Sequence, residues 1–342
     1  MTTPISRRAF PQRASMLSVA GVAAPWALNL ATLGEAAAAT ATDYKALVCI
    51  FLYGGNDHAN TVVPYDSASH GAYAGMRPTL AYARNALAPT VLVPTVALPD
   101  GLQYALATEL APLLPLFNSR QLAVMLNVGT LVQPTTKAQY LARSVPLPPK
   151  LFSHNDQQSV WQSSAPEGAT SGWGGRMGDL FAAGNGNATF TCVNVSGNAV
   201  FMSGRSAVQY QVSPRGPVAL DAIRNPLFGS AACSAVLRTL ATAPSAHLLQ
   251  DEHARVMARA LGAGDRLTAS LAGGPTLATP FPAAGNNNSL ADQLKMVARM
   301  VSTAAEVSAR RQVFFVSMGG FDTHSDQATV HPVLLARLAG AV

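Results

Sequence analysis

Asp322 and His324 are two side chains that could bind a metal ion, and they follow an apolar run from Val313 to Val316. The run predicts a buried strand, and the Gly319-Gly320 pair after it lets the backbone turn sharply. In α/β sheets, ligands bind in the crevice beyond the carboxyl ends of the strands. A carboxylate and an imidazole at such an end therefore predict hydrolytic metal chemistry.

The same pattern occurs much earlier in the chain. An apolar run from Ala46 to Tyr53 predicts a central parallel strand that is buried on both faces, and Gly54-Gly55-Asn56-Asp57 follows it. Two strands that end in the same way suggest two walls of one crevice, with Asp57 in the second wall. The alternative is that Gly-Gly-x-Asp is only a good turn sequence, since Gly and Asp both favour turns.

A third polar cluster begins at Ser153, after a proline-rich connector. Ser153 is a good N-cap, and Asp156 three residues later completes a pair like a capping box, so both residues could simply start a helix. The other interpretation makes Ser153 a nucleophile or an anion ligand, because a helix N-terminus carries partial positive charge. His154 or His58 would then support it as an acid or base.

The N-terminus has the pattern of an export signal. Residues 6–10, Ser-Arg-Arg-Ala-Phe, are a twin-arginine signature, and an apolar segment and alanine-rich cleavage sites follow. We expect residues 1–39 to be removed, the twin-arginine translocase to be the partner in export, and the protein to be periplasmic or secreted. The alternative is a retained anchor. Gly, Pro and Asn residues interrupt the apolar segment, so we expect no stable membrane span after cleavage.

The length of the chain is enough for one large α/β domain or for two smaller ones, and we predict the single domain. The chain has 342 residues, of which 49% are apolar and 12% are charged, against roughly 25% charged in usual soluble domains. A large buried core is expected, general disorder is excluded, and residues 40–342 are predicted to form a single α/β domain. The formal charge of +6 comes without a dense Lys/Arg block, which argues against a nucleic-acid partner.

Other segments complete the predicted sheet and its helices. The apolar run from Gln121 to Gly129 predicts a second buried strand, and three β-rich runs between residues 190 and 212 predict a meander or a sheet edge. Ser289 opens a predicted helix that runs to about Ala309. A disulfide between Cys192 and Cys233 could form in an oxidising compartment, although the sequence does not demand it.

Together these features resemble a known family, domain of unknown function 1501, an exported bacterial family in the alkaline phosphatase/sulfatase-like superfamily. The resemblance covers nearly all of the chain after the leader. It is carried by the twin-arginine leader, Gly54-Gly55-Asn56-Asp57 with Asn60-Thr61, Ser153-His154 and Asp156 before Trp161-Gln162, Ser196-Gly197-Asn198, and Gly319-Gly320-Phe321-Asp322-Thr323-His324 with Gln327.

The resemblance implies a three-layer α/β/α sandwich with a mainly parallel central sheet, like that of alkaline phosphatase. It implies that Asp57, Asp322 and His324 bind metal and that Ser153 is the nucleophile. Carboxylates with an imidazole suit Zn²⁺ or Mn²⁺ better than Ca²⁺. A later Asp-His-Gly segment of the family has no counterpart before Val342, so the resemblance also implies a C-terminal truncation.

We therefore predict an exported metal-dependent hydrolase that acts on phosphate or sulfate esters. Its substrate would be a small-molecule ester or a polysaccharide, with Ser153 and His154 as catalytic residues. The alternative is a non-catalytic secreted or cell-surface binding protein that uses the same fold.

Overall fold

The computed structural model describes residues 43–218, 220–282 and 287–342, so the predicted leader lies outside the described residues. The strands are β1 (Lys45–Leu52), β2 (Val62–Pro64), β3 (Tyr104–Leu106), β4 (Cys192–Asn194), β5 (Tyr210–Ser213), β6 (Gly216–Pro217) and β7 (Arg311–Met318). The α-helices are α1 (Ser67–Met76), α2 (Leu114–Asn118), α3 (Lys137–Ala142), α4 (His154–Ser163), α5 (Trp173–Phe181), α6 (Asp221–Arg224), α7 (Ala231–Thr242), α8 (Leu248–Gly273), α9 (Ser289–Ser302) and α10 (Gln327–Ala341). Short 3-10 helices span His58–Asn60, Ala88–Thr90, Pro99–Gly101, Thr108–Leu113, Ala182–Gly184, Ala188–Phe190 and Val200–Met202.

The main sheet has the strand order β1-β7-β4-β5-β6. The pairs β1–β7, β7–β4 and β4–β5 are parallel, and β6 is antiparallel to β5. Strands β2 and β3 form a separate antiparallel pair. The chain is thus an α/β protein with a mainly parallel central sheet and helices on both sides, which confirms this part of the predicted fold.

Alternate side chains of β7 enter two different cores, as the two-residue period of a strand requires. Phe314 and Val316 pack in the larger core, which includes Met300 of α9. Phe315 packs in a smaller core on the other face of the sheet, with Phe181 of α5. Because apolar side chains of β7 are covered on both faces, this strand reads in the sequence as a continuous apolar run.

β1 is a strand, as predicted, but it lies at the edge of the sheet. Within the described residues β1 pairs only with β7, and its side chains Leu47 and Val48 are 37% and 36% exposed. The prediction of a central strand buried on both faces is therefore wrong. An apolar run indicates a strand, but it does not say how many neighbours the strand has.

The prediction of a strand from Gln121 to Gly129 is also wrong. In the described structure this segment belongs to no strand, and Met125 is largely exposed. Among the described residues, only the backbone N–H groups of Gln121 and Leu122 in this segment donate to a backbone carbonyl, in both cases that of Leu116. An apolar run forms a strand only where another strand pairs with its backbone, and none of the strands that the structure describes does so here.

Of the two predictions for residues 190–212, a meander or a sheet edge, the meander is wrong, whereas β5 does lie toward one side of the sheet, beside the edge strand β6. The region does not form a meander, because β4 and β5 are parallel and the run between them contains a 3-10 helix, Val200–Met202. The optional disulfide is absent, since Cys192 and Cys233 are both free thiols.

Helix α9 begins as predicted but ends at Ser302 rather than near Ala309, and Asn288 provides its N-cap. The residues after Ser302 form turns that lead into β7. None of the helices that the structure describes is both long enough and apolar enough to cross a membrane.

Candidate functional site

The Gly-Gly turns after β1 and β7 lie side by side. The backbone nitrogen of Tyr53 donates to the Met318 carbonyl at 2.8 Å, and that of Phe321 donates to the Tyr53 carbonyl at 3.3 Å. Gly54 has a φ of +106°, and a Cβ at this position would overlap the backbone nitrogen of Asp322. Glycine therefore allows the close approach, and the two predicted walls do meet.

Two imidazoles lie beside Asp322, one from the turn after β7 and one from α4. The Oδ2 atom of Asp322 lies 3.0 Å from Nε2 of His324 and 3.6 Å from Nε2 of His154, the first residue of α4. We call His154, Asp322 and His324 the strand-end site. Their side chains are 57%, 46% and 80% exposed, so a ligand can reach all three from solvent.

A carboxylate between two imidazoles is suited to proton transfer. An imidazole that donates from Nε2 to the Asp322 carboxylate keeps Nδ1 free to accept a proton, and the carboxylate orients the ring. His324 has a φ of +47°, in the left-handed region that residues with a side chain rarely adopt. Such backbone conformations are concentrated at functional sites.

Ser153 is the N-cap of α4, as predicted, but the pair is not a capping box, because the Ser153 backbone N–H donates to the Lys150 carbonyl and not to Asp156. The Ser153 Oγ atom accepts from the Asp156 backbone nitrogen at 3.4 Å and donates to Oδ2 of the same residue at 2.8 Å. The Ser153 hydroxyl, helped by the Glu167 backbone N–H and Lys150, holds the pKa of Asp156 below its usual value against the effect of burial. A carboxylate of low pKa is a weak base. The nucleophilic role of Ser153 stays a prediction and needs another proton acceptor.

Asp57 faces a different set of side chains. Its Oδ2 atom accepts from the Arg77 guanidinium and from the Gln327 side-chain amide, and Oδ1 accepts from the Ala59 backbone nitrogen at 3.2 Å. Burial alone would raise the pKa of Asp57. The hydrogen bond and charge of Arg77, together with the Gln327 hydrogen bond, outweigh burial and hold that pKa below its usual value.

Helix α10 makes a second contact with the same turn. His331 Nε2 lies 2.9 Å from Oδ1 of Asn56, an amide oxygen that only accepts, so His331 donates. Burial lowers the pKa of His331, although the Asp57 carboxylate acts in the opposite direction. We call Asn56, Asp57, Arg77, Gln327 and His331 the Asp57 network.

Sequence analysis did not predict Arg77 or His331 as residues of the site. Arg77 lies at the end of α1, and the sequence there has no pattern that points to Asp57. Gln327 and His331 are four residues apart and so share one helix face, and this spacing was the available signal for His331. His58, a predicted acid or base, lies exposed in a short 3-10 helix.

The turn after β4 lies at the same carboxyl-terminal end of the sheet. The backbone nitrogen of Val195 donates to the Phe315 carbonyl of β7 at 3.0 Å. The Ser196-Gly197-Asn198 turn that follows is exposed. Three neighbouring strands therefore bring exposed polar groups to the carboxyl-terminal end of the sheet.

The predicted metal ligands are divided between two sets of contacts. Asp322 and His324 belong to the strand-end site, whereas Asp57 is neutralised by Arg77 and bound by Gln327. Within the described part of the chain, no group of three or more His, Cys, Asp or Glu side chains is arranged to hold a metal ion. Asp57, Asp322 and His324, as arranged, do not fit a shared Zn²⁺ or Mn²⁺.

The fold and the site define an α/β protein whose polar side chains gather at the carboxyl ends of parallel strands, the usual place for a ligand site in this class. The family model described as Protein of unknown function (DUF1501) matches residues 44–342. The chain belongs to this family, as its motifs predicted. Comparison with curated proteins gave no match, and comparison with solved structures gave none.

Proposed function

We propose that this chain is a hydrolase-like protein that acts on phosphate or sulfate esters at the strand-end site. The proposal is carried by one observation: His154 from α4 and His324 from the turn after β7 approach the same carboxylate oxygen of Asp322. An alkaline phosphatase-like arrangement is part of the proposal. The mainly parallel sheet, with polar groups beyond its strand ends, supports that arrangement.

Ester hydrolysis requires that a nucleophile lose a proton and that the leaving oxygen gain one. We assign these proton transfers to His154 and His324. Asp322 lies within hydrogen-bond distance of His324 and so orients that ring, and at 3.6 Å from His154 it is close enough to stabilise positive charge on either imidazole. A well-placed acid or base contributes about 10²- to 10⁴-fold to a rate. The proposed proton transfers involve only these side chains and pass through no metal ion.

Ser153 remains the candidate nucleophile, because it directly precedes His154 at the start of α4. Its hydroxyl now donates to Asp156, so attack on an ester requires that the hydroxyl turn from Asp156 to an imidazole of the strand-end site. A side-chain rotation of this kind exchanges one hydrogen bond for another. It would also release the N-cap of the helix.

Turnover of aryl phosphate and aryl sulfate esters by the full chain tests the proposal. The assay is run with a chelator, with Zn²⁺ and with Mn²⁺, so that the predicted metal dependence is tested separately. Asp322→Asn and His324→Asn are expected to lower kcat/KM by about 10²-fold or more. His253→Asn, at an exposed position of α8, is the matched control and should leave turnover unchanged.

A non-catalytic binding protein is the second candidate function. It is favoured by the Ser153 hydroxyl, which serves as a helix cap, and by Asp57, which Arg77 neutralises. Calorimetry with the same esters separates the two. Binding that Asp322→Asn weakens, without turnover in any metal condition, would support binding and contradict catalysis.

We also propose export by the twin-arginine pathway to the periplasm or beyond. The support is the Arg7-Arg8 pair and the apolar segment after it. Residues 1–42 fused to a reporter should direct its export, and Arg7→Lys with Arg8→Lys should abolish it. Export that the double substitution leaves intact would contradict this route.

A further inference from the structure

Asp57 is the predicted metal ligand whose surroundings differ most from those of a ligand. An ionised carboxylate offers about four acceptor positions. In Asp57 three donors already occupy three of these positions, namely Arg77, Gln327 and the Ala59 backbone N–H. A metal ion at Oδ2 would have to displace a guanidinium and meet the N–H side of an amide.

The Arg77 side chain is itself held in place. Its Nη1 atom also donates to Oδ1 of Asn60 at 3.2 Å, and the same oxygen accepts from the Tyr73 hydroxyl at 2.9 Å. Tyr73 and Arg77 are four residues apart at the end of α1, so this helix presents both to the turn after β1. The side chains of Asp57 and Arg77 are only 13% and 29% exposed, so water screens this pair less than a surface pair.

We infer that Arg77 is a positioning residue that occupies the cation position at Asp57, and that Asp57 joins structural elements instead of binding a metal. The carboxylate connects the turn after β1 to the end of α1 through Arg77 and to the start of α10 through Gln327. Gln327 closely follows the turn that carries Asp322 and His324. The connection therefore fixes that turn beside the turn after β1.

The inference concerns cation binding and rigidity and stands apart from ester hydrolysis. If the strand-end site turned over no ester, Asp57 and Arg77 could still act as inferred. If instead Asp57 bound a metal, turnover at the strand-end site could still occur. The measurements below use no substrate, so the two failures are distinguishable.

The first measurement compares thermal unfolding of Asp57→Asn, Arg77→Gln and the double variant. Each single variant leaves one charge unpaired in a half-buried place and should lower Tm by about 4 °C or more. The double variant leaves no unpaired charge, so its Tm should exceed that of both singles. Arg77→Lys, which keeps the positive charge, should retain more of the Tm than Arg77→Gln. Additive losses, or no loss, would overturn the inference.

The matched control is the exposed ion pair between Glu252 and Arg259 on α8, whose atoms lie 3.2 Å apart. Glu252→Gln, Arg259→Gln and their double variant should each change Tm by less than the Asp57 variants do, because an exposed pair contributes little. A control series that matched the Asp57 series would overturn the claim that this pair is special.

The second measurement titrates Zn²⁺ and Mn²⁺ into the wild-type chain and Asp57→Asn by calorimetry. Equal metal affinity, or no binding by either, is expected. A loss of about tenfold or more in Asp57→Asn would show that Asp57 is a ligand and overturn the inference. The third measurement records the imidazole resonances of His154 and His324 by NMR. They should shift in Arg77→Gln and stay unchanged in Arg259→Gln, and unchanged resonances in Arg77→Gln would overturn the positioning role.

Discussion

Gly54 is the residue at which the two strand-end turns come closest. Gly54→Ala is expected to lower the free energy of unfolding by about 3 kcal/mol, because the new Cβ would overlap the Asp322 backbone and alanine is strained at a φ of +106°. Urea denaturation followed by circular dichroism measures this loss.

Gly55→Ala is the control for that substitution. Its φ is +86°, but no atom lies within 4 Å of the added Cβ, so only the backbone strain remains. The expected loss is about 1 kcal/mol. Equal losses in the two variants would contradict the close approach of the turns.

Ser153 can be tested as cap and as nucleophile separately. Asn caps a helix about as well as Ser but has no hydroxyl, so Ser153→Asn should keep the stability to within about 0.5 kcal/mol, whereas Ser153→Ala should lose about 1 kcal/mol. If Ser153 is the nucleophile, both variants lose ester turnover. Full turnover in a stable Ser153→Asn variant would leave Ser153 with the capping role alone.

Sequence reasoning found the residues of the strand-end site because each is marked locally. Asp322 and His324 follow an apolar run and two glycines, and His154 follows a recognisable N-cap. Arg77, the charged partner of Asp57, carries no such mark. The Arg77 contact depends on where the end of α1 meets the turn after β1, which is a long-range property that no local pattern contains.

The outer edge of β1, which pairs with none of the described strands, leads to a prediction about hydrogen exchange. The N–H group of Lys45 donates to the carbonyl of Arg310, the residue before β7, and the N–H group of Tyr53 donates to the carbonyl of Met318 in β7. Because alternate residues of a parallel strand face the same neighbour, the odd-numbered N–H groups of β1 point to β7 and the even-numbered ones point outward. Hydrogen exchange followed by NMR should therefore show faster exchange, by about 10²-fold, at the outward amides. These are the amides of Ala46, Val48, Ile50 and Leu52.

Uniform protection along β1 would contradict this edge assignment, because it would mean that another strand pairs with the outward side. The sequence pattern identified β1 and β7 as strands from their residues, since the apolar run is a local signal. It could not place β1 at the edge, because strand order depends on pairings between distant segments.

His331 links the pH to the stability of the fold as a whole. Burial lowers its pKa in the folded chain, while the unfolded value is about 6.5. Between these two values the unfolded chain binds more protons, so stability rises with pH through this window and is lost as the pH falls below about 6.5. His331→Gln should flatten the pH dependence of the unfolding free energy below about pH 6.5.

Urea denaturation over a series of pH values measures that slope. His253→Gln, which removes an exposed imidazole from α8, is the control and should retain the wild-type slope. An unchanged slope in His331→Gln would show that His331 does not couple protonation to folding.

The strand-end site is most directly tested by a double-mutant cycle on kcat/KM with an aryl phosphate or sulfate ester. Because His154 and Asp322 would act as one unit, His154→Asn and Asp322→Asn should each cost about 10²-fold, and the double variant should cost little more than either. Losses that multiply in the double variant, or a wild-type chain without turnover under any metal condition, would contradict a reactive site built on Asp322.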